Sequence, residues 1–319
     1  MRRIWVIAFV LLPLELFCWG FYGHKKINRI AVFTLPSELM AFYKENIEFI
    51  TEHAVDADMR RYAVPEEAPR HYIDIDHYGE EPFTKVPRNW TGAVEKFSED
   101  TLQAYGIVPW HVNRMYHRLV RAFAEKNWPY VLKVSADLGH YIGDAHVPLH
   151  TTENYNGQLT DQHGIHGFWE SRLPELFSED YDYFTGKASY IADPLDQIWD
   201  VVETSHAAVD SVLAFERGLS EAFPSDRKYA FDQRGASTVK TYSREFSAEY
   251  HITLNGMVER RMRGAIRLVG SFWYSAWLEA GQPDWKKEEP YLLDSLETQQ
   301  RELQAKKASG EIIGRQHED

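Results

Sequence analysis

The sequence holds one cysteine, Cys18, in 319 residues. An internal disulfide framework is excluded, so stability must come from packing or from metal. No apolar run approaches the roughly 20 residues that a membrane-spanning helix needs. Low-complexity tracts are absent, and aromatic residues make up 14% of the chain, which excludes disorder for most of it. Positive charge is scarce: 35 Lys and Arg stand against 48 Asp and Glu, a net charge of -13. Such a balance suits neither duplex DNA nor an anionic membrane, because both need clustered cations. No stripe of Lys and Arg interleaved with aromatics, of the kind single-strand binders use, is visible. A local basic groove remains compatible with the composition. What the chain has in quantity is 14 histidines beside its 48 acids, many of them possible metal ligands.

Residues 1–18 read MRRIWVIAFVLLPLELFC. Arg2 and Arg3 precede an apolar run from Ile4 to Leu14, too short to span a bilayer. This pattern is that of a secretory signal peptide, cut after Cys18, so that the mature chain begins at Trp19 and is secreted or periplasmic. A lipidated Cys18 is the rival reading, although Glu15 and Phe17 fit it poorly.

The remainder reads as all-α, a single multi-helix domain over 19–281. Apolar residues recur at spacings of three and four in Lys25–Phe33, Pro36–Glu45, Pro109–Lys126 and Pro129–Ala145, with Pro148 as the stop signal of the last. Asp193–Leu219 and about Thr238–Ala280 continue the pattern, the latter with a break expected near Gly256 or Gly270. No series of alternating strands with tight turns appears, and no internal repeat. Loops are expected at Ala63–Asn89 and Thr151–Gly167, where Pro, Thr, Asn and Gly gather. Residues 282–319 form a charged tail, read as a solvated helix or frayed end.

The chemistry concentrates in SADLGHYIGDAHVPLH, Ser135–His150, and HGIHGFWESRL, His163–Leu173. His140 and Asp144 lie four apart, as do His166 and Glu170, so each pair shares one helix face. One such pair alone is usually a surface ion pair worth about 0.3–0.5 kcal/mol. Two pairs within 31 residues, joined by His150 and a Gly-containing loop, point to metal. Imidazole nitrogen and carboxylate oxygen are the donors zinc takes when cysteine is absent. His24, Asp56, Asp58, His71, Asp74, Asp76 and His77 are further candidates upstream. A mature N-terminal Trp19 would add an amine and its own carbonyl oxygen, and an amine with a pKa of about 7.7–8.0 gives up its proton readily to a metal.

Trp19, His24, an acid before Arg61, His71 in HYID, the stretch HYIGDAHVPLH and the final HGFWE together resemble the zinc-dependent phospholipase C and single-strand-specific nuclease superfamily. The motifs run from Trp19 to about Leu176 by number, and beyond them the likeness rests on helical character. The resemblance implies an α-helical fold with three zinc ions. One ion would take the Trp19 amine and carbonyl, His24 and one oxygen of Asp144. A second would take Asp58, His71, His140 and the other oxygen of Asp144. The third would take His150, His166 and Glu170. Asp56 competes with Asp58, which is favoured because Arg61 follows it by three. His163 competes with His166, which is favoured because only it has an acid four residues on.

The other histidines receive plainer readings. His146 faces away from the His140–Asp144 side by helical phase, and His77 is a loop hydrogen-bond partner. His53, His111, His117, His206, His251 and His317 have no partner at ligand spacing. Asp74 and Asp76 are expected to orient ligand imidazoles.

Clustered cations of this kind suit phosphodiester hydrolysis, with Asp58 as the carboxylate that holds zinc and orients or deprotonates water. Glu170, where the nuclease branch would carry Asp, tips the substrate toward phospholipid and a phospholipase C-like enzyme. The alternative is a single-strand-specific endonuclease, favoured by the Trp19-to-His24 gap and by Trp169. A non-catalytic secreted protein with structural zinc is the second alternative. No obligate protein partner is evident.

Overall fold

A computed structural model describes residues 19–234, 237–287, 293–310 and 312–313. The leader, the cut after Cys18, the terminal-amine donor expected of Trp19, and His317 lie outside the described residues. Trp19 enters as the first residue of helix α1, Trp19–Ala31.

The fold is all-α, with one two-stranded hairpin added among the described residues. No helix among the described residues is long and apolar enough to cross a membrane. Two long helices at its centre are α2, Val108–Ala124, and α3, Trp128–Ala145. Helix α2 is amphipathic and buries Val112, Met115, Leu119 and Phe123. Helix α3 starts where the Asn127 side chain accepts from Tyr130 N at 3.3 Å. Its last two turns are buried on every side, as expected of a helix enclosed by others.

Two glycines let α1 lie against α3. A Cβ at Gly139 would stand 2.0 Å from Asn28 Oδ1, and one at Gly143 would stand 2.9 Å from His24 Nδ1. Asn28 answers the close approach by donating Nδ2 to Ala136 O at 3.0 Å. On the far side, Trp273 stacks on Tyr43 at 4.6 Å and donates Nε1 to Ser135 O at 3.1 Å.

Two expectations need correction. Asp193–Leu219 is not one helix but two, α4 at Pro194–His206 and α5 at Val209–Ala222. The helical pattern does not begin at Thr238, because Ser237–Tyr242 is strand β2, paired antiparallel with β1, Tyr229–Arg234. Val239 and Thr241 alternate there, and Tyr242 stacks on Phe168 at 3.8 Å, which anchors the hairpin to the site region. Two helices then follow, α6 at Arg244–Thr253 and α7 at Met257–Glu279. The break falls at Gly256, whose φ of 72° is left-handed, and not at Gly270. Gly270 serves close packing instead, since a Cβ there would meet Thr34 Oγ1 at 1.9 Å.

The tail contains helix α8, Asp294–Ser309. It is mostly exposed but docks on Asp56–Arg60: Gln300 donates to Asp56 Oδ1 at 3.1 Å and to Glu52 O at 3.0 Å.

Candidate metal centre

Five histidines and three acids converge beside the last two turns of α3. His140 and Asp144 come from α3 itself, one helical turn apart. His24 reaches Asp144 from α1 across Gly143. Asp58 sits in the short helix Asp56–Arg60. His71 follows the 3-10 turn Ala68–Arg70. Val147 turns extended before Pro148, which opens the 3-10 turn carrying His150. His71 and His150 are then tied together, because Ile73 N donates to His150 O at 2.9 Å and His150 Nδ1 donates to His71 O at 2.6 Å. His166 lies in Ile165–Gly167, and Glu170 in the π-helical turn Phe168–Arg172 that continues it. π-turns of this sort often mark functional sites.

Asp144 is the hub. Its Oδ1 lies 3.3 Å from His24 Nε2, and its Oδ2 lies 3.0 Å from His71 Nδ1 and 3.2 Å from His140 Nε2. The two oxygens thus face two separate sets of nitrogen donors. Asp58 Oδ1 stands 3.6 Å from His140 Nε2 and 3.7 Å from His71 Nδ1. In the neighbouring group, Glu170 Oε2 lies 2.7 Å from His166 Nε2 and 3.1 Å from His150 Nε2. Among the described residues, four overlapping triads could each hold a metal ion: His24–Asp58–His140, His71–His140–Asp144, His150–His166–Glu170 and His24–Asp144–Glu170. The last links Glu170 to the Asp144 side, a proximity that spacing along the chain did not suggest.

The outward ring nitrogens are held by the backbone. His140 Nδ1 donates to Ala54 O at 2.9 Å, His150 Nδ1 to His71 O, and His166 Nδ1 to Tyr155 O at 3.2 Å. In the neutral ring each bond places the proton on Nδ1, so that Nε2, turned toward the carboxylates, is the nitrogen able to take a metal or a second proton. His71 Nδ1 and His140 Nε2 meet at 3.1 Å beside Asp144 Oδ2. Converging lone pairs and carboxylates repel unless a cation or a proton lies among them, so the donor set fits zinc.

Without a metal, the charges compensate by shifting protons. Burial opposes ionisation of Asp144, yet His140 and His150 hold its carboxyl well below the usual carboxylate range. Glu170 is likewise held low against burial by His166 and His150. Burial also disfavours a charged His140, but Asp144 and Asp58 push its pKa up to about 9.

Asp56 turns away from this centre. Its Oδ2 accepts from His53 Nδ1 at 2.7 Å, so His53 does have an acidic partner, contrary to expectation. His163 is exposed and belongs to none of the donor groups, whereas His166 is buried among them. His146 donates Nδ1 to Ile142 O at 2.8 Å, as its helical phase implied. His77 stacks on Tyr105 at 3.2 Å and lies 3.5 Å from Glu153. Asp76 holds Thr152 Oγ1 at 2.6 Å and Glu153 N at 3.0 Å; it orders the loop after His150 instead of orienting an imidazole.

The acid behind His71 is Glu67, which reasoning from the sequence missed. It is fully buried, 3.7 Å from His71 Nε2, and enclosed by Arg60 at 3.3 Å, Arg70 at 2.5 Å and the Tyr141 hydroxyl. Its signal was available: Glu67 precedes His71 by four, the same spacing that exposed the other two pairs.

No curated protein matches the chain. A family model described as S1/P1 Nuclease matches residues 19–271. That span begins at Trp19 and takes in all of the converging donors, and α8 lies beyond it. The chain therefore belongs to the S1/P1 nuclease family and is a zinc-dependent hydrolase of phosphodiester bonds.

Proposed function

We propose that the protein is a secreted endonuclease acting on single-stranded nucleic acid through a three-zinc centre. The observation that carries this reading is the nuclease-family match across the whole donor cluster. It weighs for nucleic acid, the alternative read from the sequence, over phospholipid. Glu170 in place of Asp, which had tipped the balance the other way, changes the reach of one carboxylate and says little about a substrate bound elsewhere in the site.

The partition of Asp144's two oxygens supports a bridging role between two ions. One would be held by Trp19, His24 and Asp144, and its neighbour by Asp58, His71, His140 and Asp144. The third would be held by His150, His166 and Glu170. When bound, the ions neutralise nonbridging phosphate oxygens, lower the pKa of water and stabilise the leaving oxygen.

Asp58 is the residue proposed to orient the attacking water and accept its proton. Its side chain is 19% exposed, against 2% for Asp144 and 10% for Glu170, so it is the carboxylate at the mouth of the centre. The buried carboxylates and the backbone-locked imidazoles keep the centre rigid around it. Residues 1–18 are proposed to be removed as a leader, which would free the Trp19 amine.

The test is side-by-side hydrolysis of a single-stranded oligonucleotide and phosphatidylcholine vesicles, with and without chelator. Chelator-sensitive cleavage of the strand is expected. Turnover of phosphatidylcholine with none of the strand would overturn the reading.

A further inference from the structure

Helix α7 carries Arg260, Arg261, Arg263 and Arg267 around Gly264. Arg263 is balanced, with Asp182 at 2.8 Å and Glu259 at 3.7 Å. The other three form no ion pair among the described residues, in a chain whose acids outnumber its Lys and Arg 48 to 35. Arg261 is the informative one. It is half-buried, yet its guanidinium meets only neutral groups: Nη1 donates to Ser205 Oγ at 3.2 Å and Nη2 donates to Thr204 O. Burial and the adjacent Arg260 press its pKa down to about 10. A guanidinium partly removed from water with no counter-charge costs free energy that an incoming anion would recover.

There is room for one. Arg260, Arg261, Thr204 and Met257 line a cavity of about 410 Å³. Arg267, Gln197 and Ser189 line a second of about 370 Å³, and the two share His146 and Gly264. A Cβ at Gly264 would stand 3.2 Å from the His146 ring, so the glycine keeps the junction open. Because His146 Nδ1 donates to Ile142 O, its Nε2 is an acceptor at that junction, suited to a hydroxyl or N–H group carried beside an anion.

We infer that this arginine-lined face is a second phosphate site, which holds a backbone phosphate of the substrate strand remote from the point of cleavage. His146 follows Asp144 by two residues, on the opposite side of α3. Ser205, the partner of Arg261, also donates to Ala145 O at 2.7 Å, so the arginines sit behind the metal donors. A strand bound at both places must travel at least a helix width, about 10 Å, so the site selects for strands of several nucleotides. That the strand is nucleic acid rests on the function proposed above; that the ligand is a phosphate rests on the arginines and the cavities.

The test uses the zinc-loaded protein beginning at Trp19, with exposed residues changed: Arg260→Gln, Arg267→Gln and both together. The KM for an oligothymidylate strand is measured across a salt series. Each substitution should raise KM by up to about tenfold at low salt and lower the salt slope by about 1. Arg260→Lys should restore the slope, and Lys44→Gln, an exposed cation elsewhere, should leave it unchanged. A double variant with the parent's KM and slope overturns the inference. Calorimetry with inorganic phosphate is the second arm: the parent should show one more phosphate site than the double variant, and equal stoichiometry overturns the inference. If the parent cleaves no strand at all, the nuclease reading falls, and the phosphate arm alone decides this site.

Discussion

Gly143→Ala isolates the placement of His24. The added methyl carbon would stand 2.9 Å from His24 Nδ1 and 3.0 Å from its Cε1, against the 3.4 Å at which ordinary contact begins. The ring or the whole of α1 must therefore retreat by about 0.5 Å. Retreat is resisted, because Asn28 on the same helix is bonded to Ala136 O and the His24 ring stacks on His140 at 3.8 Å. In an open helix, Gly→Ala adds roughly 0.5–1 kcal/mol of stability through backbone entropy. Here overpacking costs about 1–3 kcal/mol, so the net is a loss of up to about 2.5 kcal/mol. The functional effect follows from the same shift: a misplacement near 1 Å can cost about 100-fold in rate, so a retreat of half that size is expected to cost about 10-fold. The assays are zinc per chain by elemental analysis, urea unfolding and strand cleavage. A fall from three ions toward two is expected, together with the activity loss. A variant more stable than the parent, with full zinc and full activity, would show that the close approach of α1 to α3 does not govern the centre.

Asp144→Asn should release two of the three ions proposed, because its two oxygens face two donor sets; unchanged zinc content would exclude the bridge. Residues retained before Trp19 should abolish the terminal-amine donor and impair cleavage, and a fully active protein with such an extension would contradict that ligand. The chelated protein should lose stability in alkali. His140 is charged at about 9 in the folded state against 6.5 for an ordinary imidazole, so its contribution is complete below 6.5 and lost as pH rises through 9. Asp144, whose pKa is depressed, contributes above 3.8 and loses this as pH falls. Thermal scans of chelated protein should thus show a maximum between these limits, and zinc added back should flatten the alkaline side; a melting temperature that climbs from neutral to alkaline pH without metal would refute the assigned charges.

The local chain alone was enough to find His140 with Asp144 and His166 with Glu170. Helical periodicity places residues four apart on one face wherever the helix is docked. Gly and Pro likewise announced the turn at Gly256 and the end of α3 before Pro148. The substrate branch was less legible, because a single Glu-for-Asp difference carries no information about what binds beside it. For Asp58 and Asp56 the sequence offered only a leaning, through Arg61, and the physical reason lies in the tertiary structure. Residues two apart on a helix point in nearly opposite directions, and which of them faces inward depends on how that short helix docks. There Asp56 is claimed by His53 and by Gln300 from the far end of the chain, while Asp58 is left to the imidazoles. The arginine face was hidden for a related reason. RRMRGAIR reads as an ordinary charged helix until packing shows which guanidiniums have acids opposite them and which face a cavity. Spacing is a property of the backbone, whereas partnership depends on surfaces that folding brings together.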